Sequence, residues 1–148
     1  MSEIVYRLIT TDPDMIIPRE IAASAADFLK EQLHAEKSVY VIADAPMFVD
    51  CGTALRSIQC PHCHKPLPFH WWVEQMGRCS DSDFAERNVF FPCCKKDGLL
   101  EEIDYVDPCG VSRVVFEVHG AQNCPDSETL NTLRFLLNCD LRVIRAVY

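Results

Sequence analysis

Two short stretches carry the residues best suited to chemistry. Cys60-Pro61-His62-Cys63 sets two thiols on one tight turn, and Phe91-Pro92-Cys93-Cys94 sets two more side by side. A zinc ion takes four soft ligands in a tetrahedron, and a Cys-x2-Cys turn offers two thiolates at the right bite. The 29 residues between Cys63 and Cys93 leave room for a helix or hairpin that returns the chain to the ion. One structural zinc held by Cys60, Cys63, Cys93 and Cys94 is therefore expected. Adjacent cysteines can both ligate only through an unusual backbone, so Cys79, Cys109, His64 and His70 stand as substitutes for a fourth ligand. Buried apolar thiols, or a vicinal Cys93-Cys94 disulfide, are the competing readings.

The Cys60–Cys63 turn resembles the first knuckle of a zinc ribbon. The resemblance covers only the middle of the chain, and the sequence departs from the ribbon pattern at Cys93-Cys94, where a second Cys-x2-Cys is expected.

Catalytic constellations are hard to find. A zinc enzyme keeps one coordination position open for water, and the uncertain fourth ligand leaves that reading as an alternative: a hydrolytic enzyme with an open metal position. His-Glu-x-x-His is absent, and the zinc-deaminase pattern is not met: His34-Ala35-Glu36 is a His-x-Glu, but no Pro-Cys-x-x-Cys accompanies it. Cys109 and Cys124, with His119 as a base, are the candidates for a thiol enzyme, but spare cysteines are more often small core residues. No Gly-rich phosphate loop occurs.

The elements that must position the cysteines follow from hydrophobic period. Ile4 to Ile9 alternates as a strand, and Pro18 to Leu33 reads as a helix with Ile21, Ala25, Phe28, Leu29 and Leu33 on one stripe. Ser38 to Ala43 is a strand, Asp44-Ala45-Pro46 a turn, and Met47 to Val49 a short return strand. After the Cys- and Pro-rich middle, Arg113 to His119 is a strand. Asp126 and Glu128 open a helix whose stripe is Leu130, Leu133, Leu136 and Leu137, and Leu141 to Tyr148 closes as a strand. Between the two tryptophan neighbours Phe69 and Met76, Trp71 and Trp72 suit a short helix packed on the zinc lobe.

This order predicts an α+β fold: a ferredoxin-like β-α-β…β-α-β sheet domain with an inserted zinc-ribbon-like module. Residues 1–50 form the first half of the sheet domain, 51–112 the insert, and 113–148 the second half.

Composition sets the remaining expectations. A chain of 148 residues with 49% hydrophobic content suits one globular domain carrying an insert. No apolar run approaches the roughly 18 residues of a membrane span, and Met1 to Arg7 lacks the layout of a signal peptide. A cytoplasmic protein is expected, in which nine cysteines stay reduced. The net charge of −8 opposes nucleic-acid binding. Asp97, Glu101, Glu102, Asp104 and Asp107 crowd one stretch without a Lys or Arg, as a solvated face or as a patch that steers a basic protein partner. An acidic, zinc-stabilised protein-binding module is the leading functional expectation. By analogy of charge and size, immunity- or inhibitor-type proteins that cap basic toxins are its nearest kind.

Overall fold

A computed structural model describes residues 3–148. Four long strands build the main sheet: β1 (Ile4–Thr10), β2 (Lys37–Val49), β7 (Gly110–His119) and β8 (Leu141–Val147). They lie in the order β2-β7-β1-β8, with every neighbouring pair antiparallel. Helix α1 (Arg19–Gln32) links β1 to β2, and α3 (Ser127–Leu137) links β7 to β8. The insert between β2 and β7 holds β3 (Ile58–Gln59), α2 (Phe69–Ser80), β4 (Asn88–Phe90), β5 (Asp97–Leu99) and β6 (Asp104–Tyr105). Among the described residues, no helix is long and apolar enough to cross a membrane.

Strand alternation sends side chains to two faces; here the helices cover one and the insert covers part of the other. Tyr6, Leu8, Val114, Phe116 and Val118 meet Ala22, Ala25, Ala26 and Leu29 of α1 and Leu133 and Leu137 of α3. The alanines let α1 lie close to the sheet. On the opposite face Ile9, Val111, Val115 and Ile144 join one apolar cluster with Ile58, Leu67, Phe91, Leu100 and Tyr105 of the insert. The insert is thus seated on the sheet through a shared core, and its metal-ligand candidates inherit that support.

Helix ends follow local chemistry. The Asp126 carboxylate accepts from the Thr129 N–H at 2.8 Å and caps α3. That bond holds the Asp126 carboxyl below its usual range. Asn138, left-handed at φ 53°, ends the helix. Leu136 was expected on the buried stripe, yet it is 37% exposed. The buried residues are Thr129, Leu133 and Leu137, spaced four apart, and Leu136 lies at the margin of their stripe.

Asp44-Ala45-Pro46 does not turn the chain. β2 runs unbroken to Val49, and its register on β7 shifts between Ile42, opposite Val114, and Met47, opposite Ser112. Proline lacks the N–H that a central strand needs, but β2 is an edge and absorbs Pro46 in a bulge. Arg113 Nε donates to the Ala43 carbonyl at 2.9 Å, satisfying an oxygen in the bulge. This extra pairing also starts β7 at Gly110 rather than at Arg113. A Cβ on Gly110 would lie 2.6 Å from Ile9 Cδ1, so glycine permits the close approach there.

Candidate metal centre

β3 delivers Cys60 into a narrow hairpin, in which Gln59 bridges Pro66. The Cys60 N–H donates to the Lys65 carbonyl at 2.9 Å, and the His64 N–H donates to the Cys60 carbonyl at 3.0 Å. His64 adopts φ 62° to close the turn. The His62 N–H lies 3.4 Å from Cys60 Sγ.

The second stretch repeats this backbone 31 positions later. Phe90 pairs with Asp97 across β4 and β5. The Phe91 N–H donates to the Lys96 carbonyl at 2.9 Å, the Lys95 N–H donates to the Phe91 carbonyl at 2.9 Å, and Lys95 sits at φ 58°. Position by position, Phe91 stands where Cys60 stands, Cys93 where His62 stands, and Cys94 where Cys63 stands. The second knuckle therefore lacks its first cysteine, and Cys93 supplies a sulfur from two residues further on. That shift lets adjacent cysteines serve one site. The sequence held a signal for it: Cys60-Pro-His-Cys-His-Lys and Phe91-Pro-Cys-Cys-Lys-Lys share Pro, Cys and Lys at equal spacing.

The four sulfurs converge. All lie within 4.8 Å of one another, as a group that could hold a metal ion. Cys63 Sγ is 3.3 Å from Cys93 Sγ, and Cys60 Sγ is 3.7 Å from Cys94 Sγ. Cys60 is buried and the other three are half-buried. The substitutes lie elsewhere: His64 and His70 are exposed, Cys79 is the buried residue of α2, and the Cys109 sulfur faces Cys51 at 3.3 Å.

The electrostatics suit a cation. Burial raises the Cys60 thiol, but the backbone N–H groups of Cys63 and His62 and the neighbouring sulfurs outweigh it and bring it to about 6. Cys93 is pushed up to about 12 by burial and by the surrounding sulfurs. One thiolate forms readily, and further negative charge in the same cluster is resisted until a cation balances it.

Phe91 fills the place of the missing ligand as a core residue. It is 0% exposed and packs against the Trp71 ring at 5.9 Å and the His62 ring at 5.5 Å. A Cβ on Gly98 would meet its ring at 2.6 Å, which leaves glycine as the residue that fits opposite. Trp72 packs with Phe48, Phe69 and Tyr105, and its Nε1–H donates to Tyr105 Oη at 3.2 Å. Both tryptophans are half-buried, so they brace α2 against the insert and the sheet.

The acidic stretch is divided. Glu101 is paired with Arg87 at 3.0 Å, and Asp107 with Arg56 at 3.0 Å. The Glu102 carboxylate accepts from the Leu99 N–H at 2.7 Å. Asp97 and Asp104 remain as exposed acids outside these contacts. The stretch is thus part scaffold and part free surface.

Comparison of the chain with protein-family models, with curated proteins and with solved structures returns no match.

Proposed function

We propose that this protein is a zinc-stabilised binding module, in which a zinc-ribbon-like insert is mounted on a ferredoxin-like sheet. The convergence of four cysteine sulfurs carries the reading. A Zn–S bond of about 2.3 Å implies tetrahedral S···S edges of roughly 3.8 Å, and the distances of 3.3 and 3.7 Å fit such a site with small adjustment. The strand order β2-β7-β1-β8, with both helices on one face, supports the ferredoxin-like assignment. Four thiolates fill zinc's coordination and leave no position for water, which weighs against a hydrolytic role. Nine unpaired thiols suit a reducing compartment such as the cytoplasm.

The partner is a basic protein, drawn by the net charge of −8 and by the exposed acids Asp97 and Asp104. Glu101 and Glu102 are poor places to test this, because their carboxylates hold the insert together. Asp97→Lys with Asp104→Lys is the informative variant. Immobilised protein is expected to retain a basic protein from an extract of its own cells, and the double variant to lose it. Equal retention by the variant would contradict the acidic-face reading.

A further inference from the structure

The insert leaves the sheet and returns to it through two cysteines. Cys51 follows the end of β2, and Cys109 precedes the start of β7. Their sulfurs lie 3.3 Å apart, and the residues are 1% and 0% exposed. Both thiols also point at the Asp107 carbonyl, at 3.7 Å from Cys51 and 3.5 Å from Cys109, which holds the sulfurs facing each other. Neither belongs to the four-sulfur group. Cys79 is just as buried, yet among the described residues no sulfur lies within hydrogen-bond distance of it.

We propose that Cys51 and Cys109 are a modification site: a small-molecule disulfide oxidises the pair to an intramolecular disulfide that closes the neck of the insert. A cavity of about 230 Å³, lined by Ile103, Asp104, Tyr105, Pro108, Cys109 and Arg142, borders Cys109, so the approach requires only local opening at its floor. The Cys109 thiolate attacks one sulfur of the reagent and expels the other half as a thiolate, leaving a mixed disulfide. The Cys51 thiolate then attacks the Cys109 sulfur and expels the second half. Two protein thiols lose two electrons, the reagent gains them, and the two protons end on its two thiol products. A disulfide of about 2.0 Å needs the sulfurs to approach by roughly 1.3 Å, a rotamer-scale movement. Burial raises both thiols, most strongly Cys109, so the reaction is slow under mild conditions.

The test uses the metal-loaded protein and oxidised glutathione at mildly alkaline pH, followed by alkylation of remaining thiols, proteolysis and mass spectrometry. The expected product links Cys51 to Cys109, releases two glutathione thiols per chain, keeps its metal, and shows a raised urea midpoint. The midpoint rises because the cross-link constrains the unfolded chain across the whole insert. Cys109→Ala should abolish the link and Cys79→Ala should leave it; if Cys109→Ala does not fold, Cys51→Ala serves in its place. Both thiols recovered free, glutathione retained on Cys109, or links scattered among other cysteines would each overturn the proposal. Metal content, read separately, reports on the four-sulfur site.

Discussion

The two knuckles of the insert share a backbone and differ in where they carry their cysteines. Both close with an N–H···O bond from the fifth residue to the first and a left-handed residue at the fifth position. The first spends its opening position on Cys60. The second gives that position to Phe91, which anchors the hydrophobic core, and takes its sulfur from Cys93 instead. A knuckle fold is therefore set by the turn, and its first cysteine can move without losing the turn. What the second knuckle gains is a fully buried ring between Trp71, His62 and Gly98.

The knuckles also differ in charge, and acid gives the largest effect. At neutral pH the metal-free protein carries Cys60 as a thiolate, near 6, and Cys93 as a thiol, near 12. Zinc uptake at pH 7 should release fewer than four protons, with that of Cys93 among them. Below pH 6 Cys60 is protonated as well, so its proton must also be displaced. Affinity then falls more steeply, by about tenfold per pH unit for each displaced proton. The sign is that of a lowered thiol: its contribution holds above its unfolded value and is lost as pH falls through about 6. Calorimetry in buffers of different ionisation enthalpy counts the protons; a release of four already at pH 7 would contradict the difference.

Cys63 and Cys94 are counterparts, so removing either should cost alike. Cys63→Ser and Cys94→Ser are each expected to weaken zinc binding by roughly a hundredfold or more, since each deletes one of the four proposed ligands. Competition against a chromophoric chelator measures both. A large loss at Cys63 with none at Cys94 would break the equivalence.

The knuckles can also be made the same. Phe91→Cys with Cys93→His restores Cys-Pro-His-Cys in the second knuckle. One zinc per chain should be retained while stability drops by about 3 kcal/mol from the lost ring, read from urea unfolding. Cys93→His alone should lose affinity. Loss of zinc in the double variant would show that Phe91 occupies a place a ligand cannot use.

A smaller effect is expected at Gly98. Gly98→Ala presses a methyl group into the Phe91 ring and should cost about 1–2 kcal/mol, with zinc still bound. Unchanged stability would mean that the ring is loosely held.

Much of this molecule was legible in the sequence, and the exceptions have physical causes. The four long strands and two sheet helices follow from apolar period, because each has a face against a core. The cysteines that gather were also readable, since thiols in turns have few other uses in so Cys-rich a stretch. Pro46 misled because a proline in a strand is permitted only at an edge or bulge, and edge position is a property of the sheet, not of the segment. The placement of Leu136 outside the core was hidden because the margin of a helix stripe is set by what packs against it, and here the core runs through Thr129, Leu133 and Leu137. Burial on the second sheet face was likewise invisible. Ile144 and Ala146, both 0% exposed, lie on the face of β8 opposite to Leu141 and Val143. No local pattern says that an insert will return to cover Ile144.

Cobalt substitution tests the closed four-thiolate site most directly. The protein should take up one Co(II) per chain and show intense tetrahedral d–d absorption with strong sulfur-to-metal charge transfer, unchanged by added azide or cyanide. A weak, five- or six-coordinate spectrum, a band that moves with added anion, or no metal uptake would contradict the closed site.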